Sequence, residues 1–136
     1  MDKKRILCVD DEEGVLNSVR RILERKGYQF VAALNGEEAL NIISSVSVDL
    51  IILDVVMPGM DGYELLKEIR LSKQCSAPVV MLTAKNKLYD ILKGYGEGAV
   101  YYITKPFEST QIIKIVDHFI GDSSENEKEA VFETRL

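Results

Sequence analysis

Five polar residues stand at the ends of apolar runs, or just past them, at widely separated points of the chain. They are Asp10, Asp11, Asp54, Thr83 and Lys105. Three carboxylates, one hydroxyl and one ammonium form a reactive set if folding brings them together. Clustered like charges raise the free energy of a site unless a cation offsets them. Oxygen ligands that leave room for water and phosphate favour Mg²⁺.

A carboxylate beside such a cation can act as a nucleophile toward phosphorus. The charge on the equatorial oxygens of a transferred phosphoryl group would be shared among Mg²⁺, the Lys105 ammonium, the Thr83 hydroxyl and backbone N–H groups. The chemistry that fits these residue types is therefore magnesium-dependent phosphoryl transfer.

The elements that must position these residues alternate regularly along the chain. Strand candidates are Ile6–Val9, Gln29–Ala33, Leu50–Asp54, Pro78–Thr83 and Val100–Ile103. Helical spacing predicts helices from Asp11 to Gly27, from about Gly36 to Ser45, from Asp61 to before Ser72, from about Lys87 to Tyr95 and from about Glu108 to Ile120. Asn35 is the expected cap of the second helix, and Met57-Pro58-Gly59 is an expected turn.

Five strands and five helices in strict alternation predict an α/β fold with a doubly wound, five-stranded parallel sheet. All strands of a parallel sheet end at the same edge, where open α/β sheets bind ligands. Asp10 and Asp11 follow the first strand, and Asp54 ends the third. Thr83 ends the fourth strand and Lys105 follows the fifth. The five polar residues are therefore expected at one edge of the sheet.

Each of these residues also has an ordinary structural explanation. Asp11 is a good N-cap for the first helix, and Asp54 is suited to cap the turn that follows it. Thr83 is an unremarkable strand end, and Lys105-Pro106 is a common loop dipeptide. The functional interpretation depends on the joint pattern.

Four motifs in this sequence carry a resemblance to a known family. They are Cys8-Val-Asp10-Asp11, Leu53-Asp54-Val-Val-Met-Pro-Gly-Met-Asp61-Gly62, Met81-Leu-Thr83-Ala84 and Tyr102-Ile-Thr-Lys105-Pro106-Phe107. In this order and spacing, the chain resembles the receiver domains of two-component response regulators, of the chemotaxis-regulator type, over about residues 4 to 120. The resemblance implies a flavodoxin-like fold with strand order 2-1-3-4-5.

The resemblance also implies roles for individual residues. Asp54 would accept a phosphoryl group from a phosphohistidine. Asp11 and Asp54 would bind Mg²⁺ directly, together with the backbone carbonyl of Val56. Asp10 would act largely through a bound water.

Lys105 would pair with the phosphoryl oxygens, and its bond to Pro106 is expected to be cis. Thr83 would move toward the phosphoryl group, and Tyr102 would rotate inward behind it. The surface of the fourth helix, the fifth strand and the fifth helix would then change as a population shift. From the residues alone, Tyr102 is an ordinary strand aromatic.

The partners that the resemblance implies are a sensor histidine kinase or a histidine phosphotransfer protein, and a downstream output domain or partner protein. The protein would be a signalling switch that catalyses only its own phosphorylation and dephosphorylation. Some relatives dimerise through the surface of the fourth helix, fifth strand and fifth helix. Val100 and Tyr101 stand where acidic residues are frequent in the family, which argues against charge pairs at such a dimer.

Two further positions depart from the family pattern. Val56 lies two residues after Asp54, where many receiver domains have a polar residue, and Lys85 lies two residues after Thr83. A valine side chain cannot orient an attacking water. We therefore expect slow loss of phosphate from this protein.

Composition excludes several other classes of protein. The 136 residues are 46% hydrophobic and 29% charged, which is typical of one globular domain, expected over residues 1–120. A net charge of -5 without a basic stripe argues against direct nucleic-acid binding. The chain contains no apolar run of about 20 residues and no signal-peptide pattern, so we expect no membrane association and a cytoplasmic location. Cys8 and Cys75 are expected to be reduced thiols.

Residues 121–136 contain five acidic and two basic residues and few apolar ones. We expect an acidic tail or linker that is disordered, or that becomes helical only against a partner.

The residues are also compatible with two other classes of function, both of which are disfavoured. A flavodoxin-like binder of nucleotide or flavin is disfavoured, because Asp10-Asp-Glu-Glu13 replaces a glycine-rich phosphate loop after the first strand. A haloacid-dehalogenase-type phosphatase is disfavoured because Val56 stands where its second aspartate would be.

Overall fold

The computed structural model describes residues 3–72, 75–84, 98–99 and 101–121. Strands and helices alternate through this part of the chain. In chain order they are β1 (Arg5–Val9), α1 (Glu13–Arg25), β2 (Gln29–Ala33), α2 (Gly36–Ser45), β3 (Leu50–Asp54), α3 (Gly62–Ser72), β4 (Val79–Thr83), β5 (Tyr101–Thr104) and α4 (Ser109–Ile120). The helix expected between about Lys87 and Tyr95, and the acidic segment after Gly121, lie outside the described residues.

The five strands form one parallel sheet in the order β2-β1-β3-β4-β5. This is the predicted order 2-1-3-4-5, so the sheet topology is confirmed. Val9 of β1 pairs with Leu53 of β3, and Leu53 pairs in turn with Met81 of β4. Because the strands run in the same direction with this register, the residues that follow β1, β3 and β4 meet at one edge. We call this side of the sheet the carboxyl edge.

Successive strand residues face two different apolar layers. In β3, Ile51 and Leu53 face the layer under α2 and α3, and Leu50 and Ile52 face the layer under α1 and α4. All four side chains are at most 1% exposed. A strand that is covered on both faces needs a continuous aliphatic run rather than an alternating one. The doubly wound arrangement is therefore confirmed.

Polar side chains cap the predicted starts of α2 and α3. The side-chain oxygen of Asn35 accepts a hydrogen bond of 2.9 Å from the Glu38 N–H at the start of α2. Asp61 accepts a bond of the same length from the Glu64 N–H at the start of α3. Both bonds satisfy backbone donors that have no partner within the helix. α1 ends two residues before Gly27, close to the predicted end.

Three strand boundaries differ by one residue from the prediction, and the first is the start of β1, at Arg5 instead of Ile6. β4 begins one residue after Pro78, because proline has no N–H to donate to the ladder, although its carbonyl accepts a bond from the Ile51 N–H. β5 spans Tyr101–Thr104 and so continues one residue past the predicted end at Ile103, whereas the predicted start at Val100 lies outside the described residues. Its last residue extends the strand because it pairs with Thr83 at the end of β4.

The described cysteines form no disulfide bond. Both Cys8 and Cys75 are free, and Cys8 is buried in β1. Burial raises the pKa of the Cys8 thiol. Across the described ranges, no helix combines the length and the apolar character needed to cross a bilayer.

The start of α3 lies directly against the end of β3. The Gly62 N–H donates a hydrogen bond of 2.8 Å to the carbonyl of Val55. A Cβ at Gly62 would lie 2.2 Å from the carbonyl oxygen of Asp54 and 2.8 Å from the Val55 Cα. These are backbone atoms that cannot rotate away. Position 62 therefore has to be glycine for α3 to begin this close to Asp54.

Substitution of Gly62 by alanine is expected to lower the free energy of unfolding by about 2 kcal/mol or more, because the new methyl group displaces backbone. Gly14→Ala is the matched control, since a Cβ at Gly14 in α1 meets nothing within 4 Å. That change should raise the free energy of unfolding by about 0.5 kcal/mol. Urea denaturation followed by circular dichroism measures both values, and equal effects at the two positions would contradict the packing described.

Candidate functional site

Three predicted site residues are buried at the carboxyl edge. Asp10 is 0% exposed, Asp54 is 4% exposed and Thr83 is 0% exposed. Within the described part of the chain, these are the buried polar or charged residues. Burying a carboxylate is costly unless a partner offsets its charge. Folding therefore buries two carboxylates at the same edge of the sheet, along with the apolar core.

The Lys105 ammonium lies next to both buried carboxylates. Its Nζ is 2.9 Å from Oδ2 of Asp10 and 3.7 Å from Oδ1 of Asp54. A third carboxylate oxygen, from Glu12, lies 3.7 Å away. The Lys105 backbone N–H donates to the carbonyl of Thr83, which fixes the start of the loop beside β4. The structure therefore brings Lys105 to both buried carboxylates, with Asp10 as its nearest partner.

The Lys105–Pro106 peptide bond is cis, as the resemblance implied. It follows β5 directly, at the carboxyl edge of the sheet.

The acidic residues after β1 form a compact group. Carboxylate oxygens of Asp10, Asp11 and Glu12 lie within 4.8 Å of one another. Asp10 also accepts a hydrogen bond of 2.9 Å from the Glu12 N–H, which turns the chain into α1. The N-cap position of α1 is Glu12, not Asp11, and its side chain makes no capping bond. Capping of α1 therefore does not explain Asp11, whose exposed carboxylate lies with the group.

Sequence reasoning did not identify Glu12 as a site residue. The available signal was the run of four acidic residues Asp10-Asp-Glu-Glu13, read as the beginning of a helix. Only the fold shows that Glu12, although exposed, turns back toward Lys105.

The turn explanation for Asp54 has only a weak contact to support it. Oδ1 of Asp54 accepts a hydrogen bond from the Val56 N–H at 3.4 Å, which is long for such a bond. The Val56 side chain itself is 55% exposed. Capping of the turn does not require a carboxylate to be buried beside Asp10 and Lys105.

The environment of Asp54 disfavours its charge. Burial, followed by the charge of Asp10, raises the pKa of Asp54 from 3.8 to about 6, against the opposing influence of Lys105. For Lys105, burial lowers the pKa, but the hydrogen bond to Asp10 and the nearby carboxylates outweigh it. On balance the pKa of Lys105 is raised, so its side chain is an ammonium at neutral pH. One ammonium does not balance the carboxylates around it.

This excess charge fits a divalent cation. The donors at the carboxyl edge are carboxylate and backbone oxygens, and hard cations such as Mg²⁺ bind oxygen donors. The Asp10–Asp11–Glu12 group offers three such carboxylates. The residues present therefore suit magnesium.

The two predicted switch residues lie on neighbouring strands. Thr83 is buried at the end of β4, and Tyr102 lies on β5, partly buried against the layer under α2 and α3. The Tyr102 hydroxyl is hydrogen-bonded to the hydroxyl of Tyr63 on α3. Sequence reasoning missed Tyr63, because a contact between residues 39 positions apart leaves no local signal.

The raised pKa of Asp54 predicts an unusual dependence of stability on pH. Its folded pKa of about 6 exceeds the unfolded value of 3.8, so folding favours the protonated form. The stability that this group contributes is present at low pH and is lost as pH rises from about 4 through about 6. Asp54→Asn should therefore become more stable than the wild type over this range, by on the order of 2 kcal/mol above pH ~7.

Urea denaturation at a series of pH values, in buffer containing a metal chelator, measures the difference. Asp61→Asn is the matched control, because asparagine retains the capping function at the start of α3. A difference between Asp54→Asn and wild type that does not change with pH would refute the assignment.

Comparison with known proteins places this chain in a family. A family-wide sequence model described as "Response regulator receiver domain" matches residues 6–117. The alkaline phosphatase synthesis transcriptional regulatory protein PhoP of Bacillus subtilis is 43% identical over 109 residues, which cover 80% of this chain and 45% of PhoP. YvrH, a transcriptional regulatory protein of the same organism, is 41% identical over 113 residues, covering 82% and 47%. This chain therefore spans about half the length of these relatives.

Solved structures agree with the sequence comparison. The chemotaxis protein CheY4 of Vibrio cholerae superposes with a TM-score of 0.84 at 31% identity, covering 88% of this chain and 100% of CheY4. A putative response regulator from Chloroflexus aurantiacus gives a TM-score of 0.80 at 36% identity, covering 87% and 98%. The resemblance and the flavodoxin-like fold predicted from the motifs are confirmed. The chain belongs to the receiver domain family of two-component response regulators.

Proposed function

We propose that Asp54 accepts a phosphoryl group in the presence of Mg²⁺ and that phosphorylation switches a partner protein or output domain. The observation that supports this most directly is the position of Asp54. Its carboxylate is buried at the carboxyl edge, 3.7 Å from the Lys105 ammonium and close to Asp10. The donor would be a phosphohistidine of a sensor histidine kinase or of a histidine phosphotransfer protein.

The transfer exchanges one bond to phosphorus for another. A carboxylate oxygen of Asp54 forms the new P–O bond while the P–N bond of the phosphohistidine breaks. The electron pair returns to the imidazole nitrogen, which then takes a proton. A pKa of about 6 leaves Asp54 mostly ionised at neutral pH, so its oxygen can attack.

Five groups of this chain would hold the metal, four of them implied by the resemblance. Asp10, Asp11, Asp54 and the backbone carbonyl of Val56 are the proposed set, with Asp10 acting largely through water. We add Glu12, because its carboxylate lies with those of Asp10 and Asp11. When bound, Mg²⁺ supplies positive charge to the phosphoryl oxygens.

The chain's own groups would supply the remaining stabilisation. Lys105, which already lies within 3.7 Å of Asp54, is placed to pair with a phosphoryl oxygen. The Thr83 hydroxyl at the end of β4 is proposed to move toward another phosphoryl oxygen. This movement would leave space for the ring of Tyr102. The two residues lie on neighbouring strands and are offset by two register positions, since Tyr102 pairs with Met81 and Thr104 pairs with Thr83.

The proposed consequence of phosphorylation is a change in the protein surface on the β5 side of the sheet. Dimerisation through the surface of the predicted fourth helix, β5 and the last helix stays a prediction, because part of that surface lies outside the described residues. Tyr101 packs against the layer under α1 and α4. Relatives such as PhoP are named as transcriptional regulators. By analogy, a downstream output domain or partner protein is proposed here.

Acetyl phosphate with Mg²⁺ is expected to add one phosphoryl group to the wild-type chain and none to Asp54→Asn. Intact-mass and peptide mass spectrometry measure the addition and its position. Asp61→Asn should be phosphorylated like wild type. Modification of Asp54→Asn to the same extent, or multiple turnover of a phosphate ester by wild type, would overturn the proposal.

We expect slow loss of the phosphoryl group, because the exposed side chain of Val56 has no polar group that could orient an attacking water. Val56→Gln should increase the rate of hydrolysis roughly tenfold, because an amide can hold that water. Val56→Ile is the matched control and should leave the rate unchanged. Decay of the phosphorylated mass after removal of acetyl phosphate measures the rate. A wild-type half-life of only seconds would contradict the expectation.

A further inference from the structure

The hydroxyl groups of Tyr63 and Tyr102 connect α3 to β5. Tyr63 is the second residue of α3 and is 6% exposed. Its hydroxyl lies 2.5 Å from that of Tyr102, with one donating a hydrogen bond to the other. Both rings pack in the layer between the sheet and helices α2 and α3. The contact therefore joins the switch tyrosine to a helix rather than to a neighbouring strand.

That helix begins directly against the phosphoacceptor segment. The Gly62 N–H is bonded to the carbonyl of Val55, and position 62 has no room for a Cβ beside the Asp54 carbonyl. A shift of the backbone at Asp54 and Val55 must therefore move the first turn of α3. Tyr63 is the next residue, so its hydroxyl follows that movement.

A second contact ties α3 to the segment that leads into β5. The Arg70 guanidinium, near the end of α3, donates to the carbonyl of Gly98 at 3.4 Å. α3 thus contacts this region at two points, through Tyr63 at its start and through Arg70 near its end. The Arg70 contact is long and exposed, so the Tyr63–Tyr102 hydrogen bond is the stronger of the two connections between α3 and β5.

We propose that Tyr63 is a positioning residue that transmits the phosphorylation state of Asp54 to Tyr102 through the first turn of α3. The inference rests on the proposed function of Asp54. It adds a connection that does not pass through Thr83 on β4. Without a phosphoryl group, the hydroxyl pair holds Tyr102 in the conformer that the structure shows.

A merely structural role for the hydroxyl pair gives a different expectation. Removal of a packing hydroxyl lowers stability but leaves the response of Tyr102 to phosphorylation unchanged. Removal of a coupling group alters the conformer population of Tyr102 even where Asp54 is phosphorylated normally.

The test uses the full chain with ¹³C-labelled tyrosine rings and NMR, with the Tyr102 signal assigned from its loss in Tyr102→Phe. In Tyr63→Phe without phosphate, the ratio of the Tyr102 conformer shown here to its alternatives should fall roughly fivefold, the effect of one lost hydrogen bond. With acetyl phosphate and Mg²⁺, Asp54 should be phosphorylated at the wild-type rate. The change of the Tyr102 signal on phosphorylation should be less than half of that in wild type.

Tyr28→Phe is the matched control, because it removes a hydroxyl that is bonded to Asp117 on α4, in the other layer. It should leave the Tyr102 signal as in wild type. The reciprocal variant Tyr102→Phe should shift the Tyr63 signal, since coupling acts in both directions.

An unchanged Tyr102 signal and response in Tyr63→Phe would overturn the proposal. Failure of wild-type Asp54 to accept phosphate would instead refute the proposed function. In that case the comparison without phosphate still decides whether Tyr63 positions Tyr102.

Discussion

The site depends on one ammonium held among buried carboxylates. Lys105 contacts Asp10 at 2.9 Å and Asp54 at 3.7 Å, where both acids have lost almost all contact with water. Breaking a buried pair leaves a charge without compensation, which is more destabilising than never burying the pair. Lys105 therefore makes the metal-free fold tolerable, while the residual negative charge keeps the site receptive to a cation.

The sheet provides this arrangement without any special local structure. Parallel strands with the observed register bring the ends of β1, β3 and β4 to one edge. The aliphatic layers on the two faces of the sheet hold these strands in position. The position of α3 is set just as tightly, because Gly62 allows the helix to begin against the Asp54 carbonyl. A chemical change at Asp54 therefore occurs on a backbone already in contact with two neighbouring elements. Under the proposed function, such packing would convert a local charge into movement of a surface.

Much of the fold and part of the site were predictable. The aliphatic run Leu50–Leu53 identified the central strand, since a strand covered on both sides has no polar face. Asn35 and Asp61 identified helix starts because capping is a local interaction. Boundaries were less predictable: β5 gains Thr104 because Thr83 pairs with it, a contact that depends on the neighbouring strand.

The amino-acid pattern alone predicts the alternation of strands and helices, the doubly wound sheet and the polar residues that reach its carboxyl edge. These follow from apolar periodicity and from the common direction of parallel strands. Three contacts became visible only in the folded chain: Lys105 lies nearest Asp10, Glu12 joins the acidic group, and the hydroxyl of Tyr63 is hydrogen-bonded to that of Tyr102. Side chains far apart in sequence meet through packing and rotamers, and no local pattern records which of them will touch.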